Sequence, residues 1–341
     1  MKPRVGIVDV AREADVSIGT VSNVFNRPDI VAVHTRLRVL SVVERLGYVR
    51  SENARVLRGL PSRIIAVVVH DLTNPFDMAL VQGAEEAARK AGLAVMVCTR
   101  AQNAADEARC LARLAEYEVR GVLITPTGSS DSFKAAMERA GVPFVLMDHD
   151  GRQRRPSGCS VAIDDVAGGR LAVQHLLDRG HRTIGFISGP QHLPQVEQRR
   201  AGAREALTQA GHSTIALTEL TCPAMTVAAG RNVGRRLLSF QNRPTALFCA
   251  NDLLALGVLQ ELREAGLRVP DDMALVGCDD IEYAASASVP LTSLRRPGRL
   301  VGATAVQLLE AAPTLSDGEH DGRQVILTPE LAVRRSSRRE T

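Results

Sequence analysis

Three pairs of adjacent carboxylates are the residues of this chain that could most readily perform acid–base chemistry: Asp164–Asp165, Asp271–Asp272 and Asp279–Asp280. A general acid and a general base must face the same reacting group. Side chains that are adjacent in sequence usually diverge, and more often cap helices or line loops. The chain contains no P-loop, G-x-G-x-x-G, G-x-S-x-G or H-E-x-x-H motif. We therefore expect no enzymatic activity, no catalytic residue and no cofactor.

The cysteines indicate neither a metal site nor a disulfide framework. The six are Cys98, Cys110, Cys159, Cys222, Cys249 and Cys278, with no C-x-x-C pair. Free thiols suit a reducing compartment. No secretory signal is visible at the N-terminus, and the longest apolar run, Ile64–Val69, is too short to span a bilayer. We expect a cytoplasmic protein without a metal or membrane partner.

The first 50 residues predict three short helices with a different kind of chemistry. An apolar stripe of Val8, Val10, Ala11 and Ala14 marks the first helix. Ser17 can cap a second helix, whose core residues would be Val21, Val24 and Phe25. The third is expected from about Thr35 to Gly47, with Leu37, Leu40, Val43 and Leu46 at helical spacing. A second helix with polar residues near its start fits the major groove of DNA.

Charge supports a nucleic-acid contact at this end. Residues 1–60 hold 10 Lys and Arg against 6 Asp and Glu, whereas basic and acidic residues balance over the remainder, so the formal net charge of +4 lies in the first 60 residues. A basic segment on a neutral body is typical of DNA-binding proteins. A solvated, slightly basic surface is the alternative.

From Arg63 onward, apolar strand-like runs alternate with amphipathic helices. Ile64–Val69, Gly121–Ile124 and Ala246–Cys249 are three such runs, and another strand is expected near Ile215. The alternation restarts near residue 163, which predicts two similar lobes, each with a doubly wound parallel sheet. Ligands bind such sheets at the carboxyl ends of their strands, here in the cleft between the lobes.

The order of the motifs resembles the lactose-repressor (LacI/GalR) family of bacterial transcription regulators over about residues 5–337. The resemblance begins with Val8–Asn26, Thr35–Arg36, Leu46–Tyr48 and Ala54–Gly59. It continues with Asp71–Phe76, His175–Leu177, Gly180–Arg182, Gly185–Gly189, Arg199–Gly202, Ala250–Asp252, Gly277–Asp280 and Pro290–Leu294.

The resemblance implies the organisation of the chain. A small all-α helix-turn-helix domain would occupy 1–50, a hinge helix and linker 51–62, and an α/β two-lobed, periplasmic-binding-protein-like domain 63–341. Lobe 1 would comprise about 63–162 plus 293–322, and lobe 2 about 163–292 plus 323–337. The implied function is a transcriptional repressor that binds a pseudo-palindromic operator in double-stranded DNA under the control of a small metabolite, such as a sugar, in the cleft.

The resemblance also implies DNA-binding roles for particular residues. Ile18, Gly19 and Asn23 would read base edges, and Thr20, Ser22 and Asn26 would contact phosphates, which fix position without reading sequence. Thr20 and Ser22 could instead simply fill the helix face. In the hinge, Leu57 would wedge open a base step in the minor groove, with Asn53, Arg55 and Arg58 facing the DNA. The alternative is a linker leucine packed on the body.

For the effector, the resemblance implies Arg199, Asn251 and Asp279 as polar contacts, with Phe76 and Thr125 lining the first lobe. Gln195 and the neighbouring His192 lie in a variable loop that could set selectivity, and Met225 stands where many members stack an aromatic ring. Alternatives are an ion pair between Arg199 and Asp279, and a helix cap at Asn251–Asp252. With 3% aromatic residues and no Trp, the chain offers little to stack on a sugar.

Two further expectations concern assembly and an alternative function. Residues 334–341 contain no leucine heptads, which favours a homodimer without a coiled-coil tetramerisation tail. A two-lobed body alone would also suit a solute-binding protein of a transporter. That protein would need an export signal and no helix-turn-helix, which is the reverse of what the sequence contains.

Overall fold

The protein divides into two compact units, residues Met1–Ser62 and Arg63–Thr341. The computed structural model describes residues 5–50, 55–56, 59–99, 104–126, 131–149, 158–211, 217–311 and 322–338. Each unit has its own hydrophobic core.

The first unit is built from three short α-helices. They are α1 (Ile7–Glu13), α2 (Ile18–Asn26) and α3 (Val33–Leu46), with a single 3-10 turn at Pro28–Ile30. Asp15, in the turn between α1 and α2, adopts φ +52°, a left-handed conformation that Asp tolerates better than most residues. The expected core residues Val21 and Val24 are buried, and Phe25 packs against them.

The apolar faces of α1 and α3 differ from those predicted. Val8, Leu37 and Leu40 are exposed, at 56%, 60% and 41%. In α3 the core is made by Val39 and Val42, and Val43 and Leu46 pack beside them. Both sets of α3 residues satisfy the three-to-four spacing of a helix face, so spacing could not choose between them. Packing against α1 and α2 selects the valine face.

The second unit contains twelve strands in the described residues. They are β1 (Ile64–Val69), β2 (Ala94–Thr99), β3 (Gly121–Ile124), β4 (Phe144–Met147), β5 (Cys159–Ile163), β6 (Ile184–Ser188), β7 (Thr218–Thr221), β8 (Ala246–Cys249), β9 (Ala274–Asp279), β10 (Thr292–Arg295), β11 (Gln324–Leu327) and β12 (Glu330–Ala332). The strand predicted near Ile215 falls outside the described residues, and β7 follows it.

Helices of this unit connect and cover the strands. They are α4 (Pro75–Lys90), α5 (Ala104–Glu116), α6 (Asp131–Ala140), α7 (Asp165–Asp178), α8 (Pro194–Gln209), α9 (Val227–Leu238), α10 (Asp252–Glu264), α11 (Glu282–Ser286) and α12 (Gly298–Ala311), with a 3-10 turn at Arg335–Ser337.

The strands form two six-stranded sheets, one in each lobe, in the orders β11-β5-β4-β3-β1-β2 and β12-β10-β9-β8-β6-β7. Neighbouring strands are parallel except β12, which runs antiparallel to β10. Central strands such as β8 and β9 are buried along their whole length, as expected for parallel sheets covered on both faces. The predicted pair of doubly wound lobes is confirmed.

The chain crosses between the lobes three times, after β5, after β10 and after β11. This differs from the lobe boundaries expected from sequence. Strand β10 belongs to the second sheet, whereas the resemblance implies lobe 1 for residues 293–322. Strand β11 belongs to the first sheet, whereas the resemblance implies lobe 2 for residues 323–337. The last strands are short and partly exposed, so their sequence carries little information about which sheet they join.

Helices α7 and α8 approach one another through glycine. A Cβ added at Gly169 would lie 2.0 Å from the carbonyl oxygen of Arg199, and one added at Gly202 would lie 1.9 Å from that of Val166. No side chain fits in such a gap, so the two backbones touch. This contact fixes the position from which the Arg199 side chain extends.

Among the described residues no helix is long and apolar enough to cross a membrane. The same residues contain no group of three or more His, Cys, Asp or Glu side chains arranged to hold a metal ion. All six cysteines are free thiols.

Candidate functional site

A cavity of about 470 Å³ lies in the cleft between the two lobes. The first lobe contributes the start of α4 and the residue after β4 to the cavity wall. The second lobe contributes the loop before α8, the loop before α9 and the ends of β9 and β10. The strands of both sheets therefore present their carboxyl ends to the cavity, the position expected for a ligand in this architecture.

Five of the seven side chains predicted to bind an effector line this cavity. They are Phe76, Gln195, Arg199, Met225 and Asp279, and His192 lies beside them. Four of the five are at least nine-tenths buried; Met225 is half-buried and packs over Gly189.

Thr125 and Asn251 are not among the residues that line the cavity. The Thr125 hydroxyl donates to the carbonyl of Val68, 3.3 Å away, at the end of β1. The Asn251 side chain accepts from the amide of Leu254 at 2.9 Å and donates to the carbonyl of Met225 at 3.1 Å. Asn251 is thus the N-cap of α10, the alternative role considered from sequence, and it also holds the loop that carries Met225.

Arg199 is buried on the cavity wall but does not pair with Asp279. Its Nε donates to Oδ1 of Asp165 at 2.8 Å, and its Nη1 donates to the carbonyl of Ala250. Asp165 begins α7, directly after the first crossing between the lobes. The expected alternative of an Arg199–Asp279 ion pair is therefore wrong, because Asp279 forms its ion pair with a different arginine.

That arginine is Arg296, which follows β10 at the second crossing. Its Nη1 donates to Asp279 at 3.1 Å, and its Nη2 donates to Asp165 at 3.2 Å and to Asp148. Asp148 follows β4 in the first lobe, whereas Asp279 ends β9 in the second. We call Arg199, Arg296, Asp148, Asp165 and Asp279 the Arg296 cluster. Its side chains are nearly fully buried, and they link the two lobes.

Two carboxylates of the Arg296 cluster sit on unusual backbone. Asp148 has φ +53° and Asp279 has φ +113°, both in the region that favours glycine. Residues held in such conformations cost about 1–3 kcal/mol each and concentrate at functional sites. Here the ion pairs with Arg296 hold both side chains in place.

Burial changes the acidity of two cavity carboxyl groups. Asp77, on α4, is 3% exposed and accepts the backbone amide of Asp71 at 2.8 Å. Burial raises the pKa of Asp77 to about 7 against the opposing effect of that hydrogen bond, and the nearby negative charges of Asp148 and Asp279 raise it further. Burial likewise raises the pKa of Asp279 to about 6, although Arg296 and Arg199 favour the ionised form.

Sequence reasoning missed Arg296, Asp148 and Asp77 as candidate site residues. The first two directly follow β10 and β4, and polar residues immediately after the strands of a parallel sheet face its ligand-binding edge. That signal was available in the sequence. The pairing of Arg296 with carboxylates from both lobes was not, because it depends on the three crossings.

In the first unit, α2 has a formed N-terminus and an exposed face. The Ser17 hydroxyl accepts the amide of Thr20 at 3.0 Å, the predicted N-cap. Ile18 is 47% exposed and Gly19 is exposed, while Asn23 is half-buried. Thr20 also contacts the Ser17 hydroxyl at 2.9 Å.

Ser22 and Asn26 are engaged within the unit. The Asn26 amide donates to the Ser22 hydroxyl at 3.2 Å, and its carbonyl accepts from Arg50 at 2.6 Å. Arg50 also lies over the Phe25 ring at 4.9 Å. Nε of Arg55 donates to the carbonyl of Pro61 at 3.1 Å. The predicted hinge contacts Asn53, Leu57 and Arg58 lie outside the described residues.

Comparison with known proteins relates both units to regulators. Residues 6–51 match the bacterial regulatory proteins of the lacI family, and residues 173–337 match a periplasmic binding protein-like domain. The HTH-type transcriptional repressor PurR of Photobacterium profundum is 32% identical over 335 residues, covering 97% of this chain and 98% of its own.

Two solved structures share the fold of nearly the whole chain. The lac repressor dimer bound to operator and the anti-inducer ONPF is 28% identical, with a TM-score of 0.87, and covers 98% of this chain and 99% of its own. The complex of the transcriptional regulator CelR with cellobiose is 31% identical, with a TM-score of 0.73, and covers 98% and 100%. The chain therefore belongs to the lacI family of bacterial regulatory proteins and is a DNA-binding transcriptional repressor controlled by a small-molecule effector.

Proposed function

We propose that a homodimer of this protein binds a pseudo-palindromic operator through α2, and that an effector bound in the interlobe cavity changes its operator affinity. The observation that carries the proposal is the cavity, where five side chains predicted from sequence meet at the carboxyl ends of two parallel sheets. The protein works in the cytoplasm, where its operator lies, and acts by binding rather than by catalysis.

Within α2, Ile18 and Asn23 supply two different kinds of base contact. Ile18 offers only an apolar surface, which suits a thymine methyl group, whereas the Asn23 amide can both donate and accept hydrogen bonds. Gly19 adds no side chain and leaves room for close approach. Thr20, Ser22 and Asn26 provide phosphate contacts that set position, and Leu57 with Asn53, Arg55 and Arg58 provides the hinge contact in the minor groove.

The DNA-binding proposal is tested by selecting bound duplexes from a random library with the full chain and footprinting the selected sequence. We expect two protected half-sites related by a pseudo-two-fold axis. Asn23→Ala should reduce operator affinity about 10- to 100-fold and relax base preference at one position in each half-site.

Two further variants sharpen that test. Asn242→Ala makes the same substitution at an exposed position in the second unit and should bind like the parent. Leu57→Ala should lose operator affinity if the leucine enters the minor groove. Salt-sensitive binding without sequence preference would refute the repressor assignment of α2.

For the effector, the proposal names a polar, hydroxyl-bearing small molecule bound by Arg199, Gln195 and Asp279, with Phe76 and Met225 providing apolar contacts. The regulator CelR was solved with cellobiose, a carbohydrate. Thr125 and Asn251 act indirectly on the effector. Thr125 holds the end of β1, and Asn251 holds the loop that carries Met225.

The effector proposal is tested with a metabolite panel screened by thermal shift, followed by operator binding with and without each hit. A coupling of about 100-fold corresponds to roughly 2.7 kcal/mol and would be easily measured. Asp279→Asn should abolish the shift, whereas Asp178→Asn, an exposed acid on α7, should retain it. A hit that shifts both variants equally would place the effector elsewhere.

A further inference from the structure

More negative than positive side chains line the interlobe cavity, and this excess restricts the charge of the ligands that it can bind. Among the described residues that line it, Arg199 and Arg296 are the only arginines, and none is lysine. Four carboxylates line the same wall, Asp71, Asp77, Asp148 and Asp279. Asp165 is not among the lining residues, but its carboxylate accepts hydrogen bonds from both arginines.

Both arginines already pair with carboxylates, although Nε of Arg296 has no hydrogen-bond partner among the described residues. Arg199 is held by Asp165 and by the carbonyl of Ala250. Arg296 is surrounded by three carboxylates, and its guanidinium carbon lies 4.1 Å from the centroid of the Phe76 ring. A phosphate or carboxylate ligand would add negative charge to a wall where four carboxylates already face two arginines, and those arginines are paired with carboxylates.

Two carboxylates of the wall have no cationic partner among the described residues. Asp71 accepts the amide and hydroxyl of Thr73, at 2.8 and 2.7 Å. Asp77 accepts only the amide of Asp71, although it is buried. Burying a carboxylate without a cation is unfavourable. Burial, and then the nearby negative charges of Asp148, Asp279 and Asp71, raise the pKa of Asp77.

We propose that the effector is a hydroxylated compound carrying a protonated amino group, which Asp71 and Asp77 bind, and that the cavity rejects phosphate esters and carboxylates. This inference rests on the proposed function of the cavity as the effector site. A ligand ammonium would supply the positive charge that the wall lacks, and its three N–H donors match the free acceptor positions of two carboxylates. The remaining titratable groups of the wall are His70 and His192.

The experiment compares matched head groups on one skeleton, using the full chain and isothermal titration calorimetry. The probes are 6-amino-6-deoxy-D-glucose, D-glucose, D-glucose 6-phosphate and D-glucuronate, which differ only at carbon 6. A second set uses 1-amino-1-deoxy-D-sorbitol, D-sorbitol, D-sorbitol 1-phosphate and D-gluconate, which differ only at carbon 1. A buffer at about pH 7.5 keeps these alkylamines protonated and most of Asp77 ionised.

We expect each amine to bind at least tenfold more tightly than the alcohol of the same skeleton, a difference of about 1.4 kcal/mol, and the anionic probes to bind more weakly than the alcohol. Asp77→Asn keeps the shape of the side chain and should reduce the preference for the amine to less than threefold. Asp71→Asn should also reduce it, whereas Asp178→Asn should leave it unchanged.

The outcomes separate this inference from the one on which it rests. Tighter binding of a phosphate ester or carboxylate than of its alcohol would overturn the amine proposal and leave the cavity as the effector site. An undiminished amine preference in both Asp77→Asn and Asp71→Asn would also overturn it. If no amine binds while a hit from the metabolite panel binds and loses its thermal shift in Asp279→Asn, the amine proposal is wrong and the cavity remains the effector site. If no hit depends on Asp279, the effector-site proposal fails instead.

Discussion

The guanidinium of Arg296 stacks on the ring of Phe76, with 4.1 Å between its central carbon and the ring centroid. Arg296 follows the second-lobe strand β10, whereas Phe76 belongs to α4 of the first lobe. A cation over an aromatic face contributes about 0.5–2 kcal/mol, the larger values when both groups are desolvated. Arg296 therefore contacts both lobes in the cleft, because it stacks on Phe76 and pairs with Asp148 of the first lobe and with Asp279 of the second.

Replacing Arg296 should therefore be costly. Arg296→Gln leaves the carboxylates of Asp148 and Asp279 without their cation, and we expect a loss of about 3–5 kcal/mol in the free energy of unfolding near neutral pH. Because protonation would neutralise the unpaired carboxylates, the loss should shrink as the pH falls. Urea unfolding at several pH values measures both effects.

Arg299→Gln is the matched control for that experiment. Arg299 pairs with Glu86 at 2.8 Å, but its side chain is 61% exposed. Exposed ion pairs contribute about 0–1 kcal/mol, so this variant should unfold almost like the parent. Equal losses in both variants would show that the Arg296 cluster has no special role in stability.

A second prediction concerns Asp77 and pH. Its folded pKa of about 7 lies above the ordinary value of 3.8, so folding favours the protonated form. The associated stability is present below pH 3.8 and is lost as the pH rises through 7. Since one pKa unit corresponds to about 1.4 kcal/mol, Asp77→Asn should remove a pH dependence on the order of 4 kcal/mol.

The measurement is the free energy of unfolding at pH values on both sides of that window, with Asp178→Asn as the exposed control. Asp71, Asp148, Asp279 and Arg296 are charged residues that line the same cavity as Asp77, so the quantity of interest is the difference in unfolding free energy between the parent and Asp77→Asn. Parallel pH profiles for these two proteins would contradict the prediction.

A third prediction uses two neighbouring glycines of α7. A Cβ at Gly169 would lie 2.0 Å from the Arg199 carbonyl oxygen, whereas one at Gly168 would lie no closer than 3.3 Å to Leu294. Both substitutions to Ala gain about 1 kcal/mol of helix propensity, so the difference between them reports the packing. We expect Gly169→Ala to lower the melting temperature and Gly168→Ala to leave it nearly unchanged.

The Gly169→Ala variant should also weaken effector binding, because separating α7 from α8 moves Arg199 along the cavity wall. Thermal shift with a hit from the metabolite panel tests this. Comparable melting temperatures for the two alanine variants would mean that the helices can separate at little cost.

A fourth prediction concerns the two faces of α3. Val39→Ala should destabilise the first unit by on the order of 2 kcal/mol, since Val39 is fully buried. Leu37→Ala removes a larger side chain but an exposed one, and should cost little. Amide hydrogen exchange along α3 in the full chain distinguishes the two, with faster exchange expected only for Val39→Ala.

Most of the helices and strands could be predicted from local patterns in the sequence, whereas the five predicted residues that line the cavity were implied by the family resemblance. Ser17 has the composition and position of an N-cap, and the apolar runs of β1 and β8 admit few other structures. The face of α3 and the role of Arg296 could not be derived in this way. Leu37 and Val39 both fit a helix face, and Arg296 takes its partners from segments 17 to 148 residues away.

The three crossings between the lobes also determine when each lobe can be completed during synthesis on the ribosome. The first sheet needs β11 and the second needs β10 and β12, while α12, which packs closely on α4, comes after residue 297. Neither lobe is a continuous stretch of sequence. A nascent chain therefore carries two unfinished sheets until β11 and then β12 emerge, and a chain that lacked both strands would be incomplete in both lobes rather than in one.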